Sequence, residues 1–92
     1  MEVIPSKRFF KELRKCPKHI RSQAIDLIDT FENAKSIDEI SDIRKMAGYK
    51  KYYRVRIGDY RVGVKFETTT IKILYVLTVQ PRGDFYKTFP PD

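Results

Sequence analysis

From Tyr52 onward the sequence changes period. In "YYRVRIGDYRVG", residues 52 to 63, a ring or aliphatic side chain alternates with arginine on both sides of Gly58-Asp59. A period of two is the signature of an extended strand, and a Gly-Asp pair between two such runs is the chemistry of a two-residue hairpin turn. With Gly58 and Asp59 in the turn, Ile57 lies opposite Tyr60 and the register of the hairpin is fixed, because a slip of one residue would reverse both faces. One face then collects Tyr53, Val55, Ile57, Tyr60, Val62 and Val64, an apolar surface ready to receive helices. The other sets Arg56 against Arg61, Arg54 against Gly63, Tyr52 against Lys65 and Lys50 against Glu67. Like charges directly opposed destabilise a sheet. A face that accepts this repulsion, carries one carboxylate at its far end and leaves Gly63 bare beside Arg54 suggests a pocket for something anionic. Arginine rather than lysine suits forked contacts to phosphate oxygens and stacking on bases, and Tyr52 offers a ring for the same purpose.

The remainder of the chain supplies the other layer. Residues 2 to 4 read as a short extended segment before Pro5, which cannot donate to a ladder. Ser6 then caps a helix through about Lys15, with Phe9, Phe10, Leu13 and Cys16 on one side. Pro17 interrupts it. A second helix runs from about Lys18 to Asn33, with Ile20, Ala24, Leu27, Ile28 and Phe31 as its apolar stripe. Ser36 and Glu39 have capping-box spacing and predict a short helical turn. Strands are expected at 52–57, 60–67 and 70–79, and Pro81 ends the last. Residues 82–92 read as a short C-terminal tail packed onto the body by Phe85 and Phe89. The class is α+β: an N-terminal strand, a helical hairpin packed on a small antiparallel sheet, and a tail, all in one domain spanning residues 1–92.

Charge follows the same division. Of the net +7, residues 49–65 contribute +5, with six Lys or Arg against one Asp, while residues 66–92 sum to zero. A local excess of this kind makes nucleic acid the leading partner class. One cysteine rules out an internal disulfide framework, and no apolar run approaches the ~18 residues of a membrane span. The opening "MEVIPSKRFF" lacks the pattern of a secretory signal, so a cytoplasmic protein is expected. No metal or other cofactor is expected, since no paired Cys or His spacing occurs. His19 reads as a helix-start surface residue and Cys16 as a small core residue.

The segments "GYKKYYRVRIGDYRVGVKF", "IKILYVLTV" and "PRGDFYKTF" resemble, in order and spacing, the RelE branch of the RelE/ParE superfamily of toxins from type II toxin–antitoxin pairs. The similarity extends over nearly the whole chain. It implies a ribosome-dependent endoribonuclease that cuts mRNA in the A site without a metal, neutralised by a cognate antitoxin with which it forms a hetero-oligomer. In such nucleases the RNA's own 2′-hydroxyl attacks the adjacent phosphate, leaving a 2′,3′-cyclic phosphate and a 5′-hydroxyl. The family's functional positions fall on Arg54, Arg56, Arg61, Arg82 and Tyr86. Arg61 and Arg82 would stabilise charge on the phosphate, Arg54 and Arg56 would orient the backbone, and Tyr86 would stack on a base or steer the 2′-hydroxyl. Lys50, Lys51, Tyr52 and Lys65, with Lys7, Arg8, Lys11, Arg14 and Lys15 of the first helix, would grip mRNA or ribosomal RNA. Relatives often carry Lys in the second strand, or a Glu and a His elsewhere, able to exchange a proton. Here arginine fills the strand positions, Pro81 stands where many relatives have His, and the proton acceptor stays open among Tyr86, Lys51, Glu67 and Asp84.

Three other functions compete. The ParE branch of the same fold poisons DNA gyrase and cuts nothing, although gyrase binding does not obviously require the arginine and tyrosine set. A noncatalytic RNA-binding module would bind in a salt-sensitive way and leave RNA intact. An attenuated toxin would keep only its antitoxin partner.

Overall fold

A computed structural model describes residues 1–91. The chain runs β1 (Glu2–Pro5), α1 (Lys7–Leu13), α2 (Lys18–Asn33), a 3-10 turn (Ile37–Glu39), β2 (Ile43–Lys45), β3 (Tyr52–Ile57), β4 (Tyr60–Thr68), β5 (Lys72–Pro81) and α3 (Arg82–Thr88). The five strands form one sheet in the order β1-β5-β4-β3-β2. β1 lies parallel to β5 and the other pairs are antiparallel, so the sheet is mixed.

The β3–β4 register is the one dictated by the Gly58-Asp59 turn, with Ile57 against Tyr60, Arg56 against Arg61, Arg54 against Gly63 and Tyr52 against Lys65. Gly58 sits at φ 57°, in the left-handed region that the turn requires and that glycine enters without steric penalty. The ladder stops at Tyr52, so Lys50 does not face Glu67; the Glu67 carboxylate is met by Lys51 and Lys65 instead, at 3.4 and 3.3 Å.

The inner face of the sheet forms the core. Val55, Ile57, Val62 and Val64 join Leu74, Val76 and Val79 of β5 against Phe9 and Leu13 of α1 and Ile20, Ala24 and Phe31 of α2. Ser6 caps α1 as its sequence position predicts, its hydroxyl accepting from Phe9 N at 3.0 Å. That hydroxyl also donates to Leu77 O at 3.0 Å, so the cap ties the helix to β5 as well. Opposite Gly63/Val64 one extra residue is inserted in β5, a bulge at Leu77. The bulge shifts the pleat by one, which lets Val76 and Val79, an odd number of residues apart, both face inward.

β1 ends at Pro5, and α1 rather than a strand lies along the next part of β5. Glu12 performs the pairing there: one carboxylate oxygen accepts from Val79 N at 3.2 Å and from the buried Thr78 hydroxyl, while the other takes Arg8 at 3.1 Å. Cys16 is buried among core residues, as its place in the stripe implies. Burial raises its thiol pKa above the ordinary value, with the Glu12 carboxylate adding to the shift. His19 is exposed on the first turn of α2.

Two segments differ from the sequence reading. Residues 82–88 are helical rather than an irregular tail, although Phe85 and Phe89 do pack them onto the sheet. Residues 43–45 form an edge strand on β3. Both elements are short: residues 43–45 are too few to show a period, and residues 82–88 are held by contacts with β4 that lie distant in sequence.

Candidate functional site

The outer face of the sheet is split by the C-terminal residues. Gly63 is not an open anion pocket: the Phe89 ring fills the space above it, so close that a Cβ at residue 63 would meet ring carbons at 2.7 to 2.9 Å. Phe89 stacks on Phe85 at 4.9 Å and meets the edge of Tyr52 at 5.6 Å. This aromatic wall divides two basic regions.

On one side lies a polar cleft of about 480 Å³ lined by Asp42, Ile43, Arg44, Arg54, Arg56, Arg61, Arg82 and Tyr86. β3 contributes Arg54 and Arg56, and β4 contributes Arg61 directly across from Arg56. Arg82 reaches the same place because β5 pairs with β4, setting Pro81 opposite Tyr60, and because Arg82 N donates to Asp59 O of the hairpin turn at 2.9 Å. One helical turn later α3 presents Tyr86, which is 48% exposed. The fold thus gathers into one cleft all five residues that the sequence reading set together as reactive.

Arg61 is the unusual member. It is only 8% exposed, and among the described residues no carboxylate pairs with it. Its Nη1 donates to Gly58 O at 3.1 Å and Tyr60 O at 2.9 Å, and its buried Nε has no protein partner among the described residues. Burying a charge without a counter-ion is costly, and an unused donor adds to that cost. The two carbonyls hold the guanidinium in one orientation.

Sequence reasoning missed Arg44 and Asp42. Arg44 pairs with Arg54 across the β2–β3 ladder, adding a fifth arginine to the cleft lining. Asp42, at φ 60°, precedes β2, and its carbonyl accepts from Arg56 N at 3.4 Å. The available signal was Gly48, whose φ of 82° marks the turn between "DIRK" and "YYRV" as a second hairpin.

Of the four candidate proton acceptors, Tyr86 alone lines the cleft. Lys51 and Glu67 pair with each other at the far end of the sheet, and Asp84 faces Lys87 at 3.9 Å on the exposed side of α3. Hydrogen bonds from Lys65 and then Lys51 hold the Glu67 carboxyl below its usual pKa.

The other basic residues form separate groups. Lys50, Lys51 and Lys65 lie beyond the aromatic wall, and Tyr52 is part of the wall itself. Tyr52 there is half-buried, with Tyr49 at 5.7 Å on its edge and the Lys65 ammonium 6.0 Å from its ring centre. Lys7, Arg8, Lys11, Arg14 and Lys15 project from α1 and the turn after it, all exposed and outside the cleft lining. Among the described residues no cluster of His, Cys, Asp or Glu is arranged to hold a metal ion, and no helix is long and apolar enough to cross a membrane.

Comparison with known proteins places the architecture. The family model described as the ParE toxin of type II toxin–antitoxin systems matches residues 3–84. Toxin RelE3 of Methanocaldococcus jannaschii is 37% identical over 91 residues, an alignment that covers 98% of this chain and all of the relative. The chain belongs to the RelE/ParE superfamily of type II toxins. Among solved RelE structures, the toxin in the RelB–RelE antitoxin–toxin complex from Methanococcus jannaschii matches with TM-score 0.78 and 33% identity, covering 95% of this chain and 99% of that one. The archaeal RelE–RelB complex from Pyrococcus horikoshii matches with TM-score 0.72 and 30% identity, over 89% and 94%. The RelE-type α+β arrangement of helices on a mixed sheet is therefore shared with these toxins.

Proposed function

We propose that this toxin is a metal-independent endoribonuclease of the RelE type. It cuts mRNA in the ribosomal A site in the cytoplasm, and a cognate antitoxin binds it and holds it inactive. The observation that carries the reading is Arg61, a buried guanidinium pinned by two hairpin carbonyls, with four further arginines lining the same cleft.

Such an arrangement fits the requirement of RNA self-cleavage. Attack of a ribose 2′-oxygen on the adjacent phosphorus forms one P–O bond and breaks the bond to the 5′-oxygen of the next nucleotide. Negative charge builds on the nonbridging oxygens in between. Guanidinium groups held in place before the reaction stabilise that charge without reorganising. Arg61 and Arg82 take this role from opposite sides of the Tyr60–Pro81 pair, and Arg54, Arg56 and Arg44 orient the flanking phosphates. Arginine does not release its proton at neutral pH, so water takes the 2′-hydroxyl proton and supplies one to the departing 5′-oxygen, which leaves as a 5′-hydroxyl. Tyr86 stands in the cleft to steer that hydroxyl or stack on its base. The lysines beyond the aromatic wall and the basic face of α1 supply nonspecific contacts to mRNA and ribosomal RNA.

The antitoxin reading rests on the related toxins having been solved in complex with RelB antitoxins and on the surplus of positive charge, which an acidic, initially disordered segment would complement. The match to the ParE family model favours a second reading, inhibition of DNA gyrase without cleavage. Programmed ribosomes bearing a defined A-site codon separate the two. The nuclease reading expects a new 3′ end within that codon, abolished by Arg61→Ala. Intact mRNA on ribosomes that remain active for translation, together with inhibition of supercoiling by gyrase, would transfer the assignment to the ParE reading.

A further inference from the structure

We propose that Gly63 and Phe89 form a seat that fixes α3 on the sheet and thereby sets Arg82 and Tyr86 over the cleft. Both act as positioning residues, and the catalytic consequence rests on the nuclease reading above.

α3 has little to hold it by itself. It is seven residues long, its N-cap is Pro81 with no side-chain hydrogen bond, and so short a helix is unstable in isolation. Its place depends on what it buries. Phe85 and Phe89, four residues apart on one side, are 0% and 6% exposed. Their rings stack at 4.9 Å with 29° between planes, and Tyr52 meets Phe89 edge-on, ring centres 5.6 Å apart at 89°. Tyr86 sits beside Phe85, ring centres 5.1 Å apart, so the ring that enters the cleft leans on the one that is buried.

The floor of the seat is Gly63. Its backbone is not in the left-handed region, so any residue satisfies its torsions, and the need for glycine lies in the space above it. A methyl group there would press on Cε1, Cδ1 and Cζ of Phe89 at 2.7, 2.8 and 2.9 Å. Phe85 stacks on the ring and Tyr52 meets it edge-on, while a cavity lined by Leu77, Gln80 and Thr88 borders it on another side. To make room for the methyl group the ring must leave its stack on Phe85 or take with it the segment that carries it, and Arg82 and Tyr86 belong to that segment.

The test compares wild type, Gly63→Ala, Phe89→Ala and the double variant Gly63→Ala/Phe89→Leu, in which the smaller side chain leaves room for the methyl group. Two readouts are taken: hydrogen exchange of the amides of residues 85–89, and kcat and KM for mRNA cleavage on programmed ribosomes. Each single variant is expected to lose at least tenfold of the α3 protection while β3–β4 amides stay protected. Each is also expected to lower kcat at least tenfold with KM within about threefold, and the double variant to recover both within threefold. Unchanged α3 protection in Gly63→Ala and Phe89→Ala overturns the seat. Lost protection with unchanged kcat overturns the positioning role. If wild type cleaves nothing, the nuclease reading fails, and exchange alone then decides whether the seat holds α3.

Discussion

Replacing Arg56 by glutamine should make the protein more stable while weakening its action on RNA. Arg56 is exposed, directly opposes the buried Arg61 across the hairpin, and forms no ion pair among the described residues. Its removal therefore breaks no charge pair and relieves a repulsion. Two unit charges ~8 Å apart repel by ~2 kcal/mol at the effective dielectric near a protein surface and by ~0.5 kcal/mol in bulk water. Arg54 and Arg82 line the same cleft and add smaller contributions. A gain of about 1 kcal/mol is expected at low salt, which raises Tm by roughly 4 to 8 °C in a domain of this size. The gain should shrink as salt rises, because the screening length falls from ~10 Å at 0.1 M to ~3 Å at 1 M. Urea unfolding of both proteins at 50 mM and 1 M NaCl reads the effect directly. Arg56→Gln equal to or less stable than wild type at low salt, with no narrowing of the difference at high salt, would refute the claim that this face stores unrelieved like-charge repulsion.

Glu12→Ala leaves the Thr78 hydroxyl and the Val79 N–H buried without their acceptor, and should cost about 2 to 4 kcal/mol in chemical denaturation. Cys16, buried and with its pKa raised, should react with a disulfide reagent at pH 8 far more slowly in the native protein than in denaturant; equal rates would contradict its burial. Glu67 should titrate below an ordinary glutamate in carbon-detected NMR and move back toward the usual range in Lys65→Met. Because its folded pKa is depressed, its contribution to stability is present above the unfolded pKa and fades as pH falls through the folded one. Exposure and solvent screening keep that contribution small.

The hairpin was legible because two local signals agreed: alternation fixed the faces, and Gly58-Asp59 fixed which residues oppose each other. From that register the sign of the charge on the outer face followed without knowledge of the rest of the chain. The first two helices were equally legible from their apolar spacing and from Ser6, although Phe10, expected on the apolar side of α1, is exposed. What escaped was either too short to show a period or depended on contacts between distant segments. β2 has three residues, too few for a period, and so Arg44 and Asp42 were not placed in the cleft. The helical character of residues 82–88 comes from Phe85 and Phe89 finding β4, a contact that no local pattern encodes. Gly63 was noticed as a gap beside Arg54, but its occupant is a ring from residue 89 rather than a ligand. The bulge at Leu77 had a readable trace, since Val76 and Val79 cannot both face inward on a regular strand.

The most direct measurement of the central claim uses an mRNA with a single 2′-deoxy nucleotide at the mapped cut position, presented in the A site of programmed ribosomes. If the arginine cleft promotes attack by the RNA's own 2′-hydroxyl, the all-ribose mRNA is cut to a 2′,3′-cyclic phosphate and a 5′-hydroxyl, and the deoxy-substituted mRNA stays whole at that position. Cleavage of the substituted mRNA at the same bond would contradict the account, because the charge stabilised in the cleft would then belong to a different reaction.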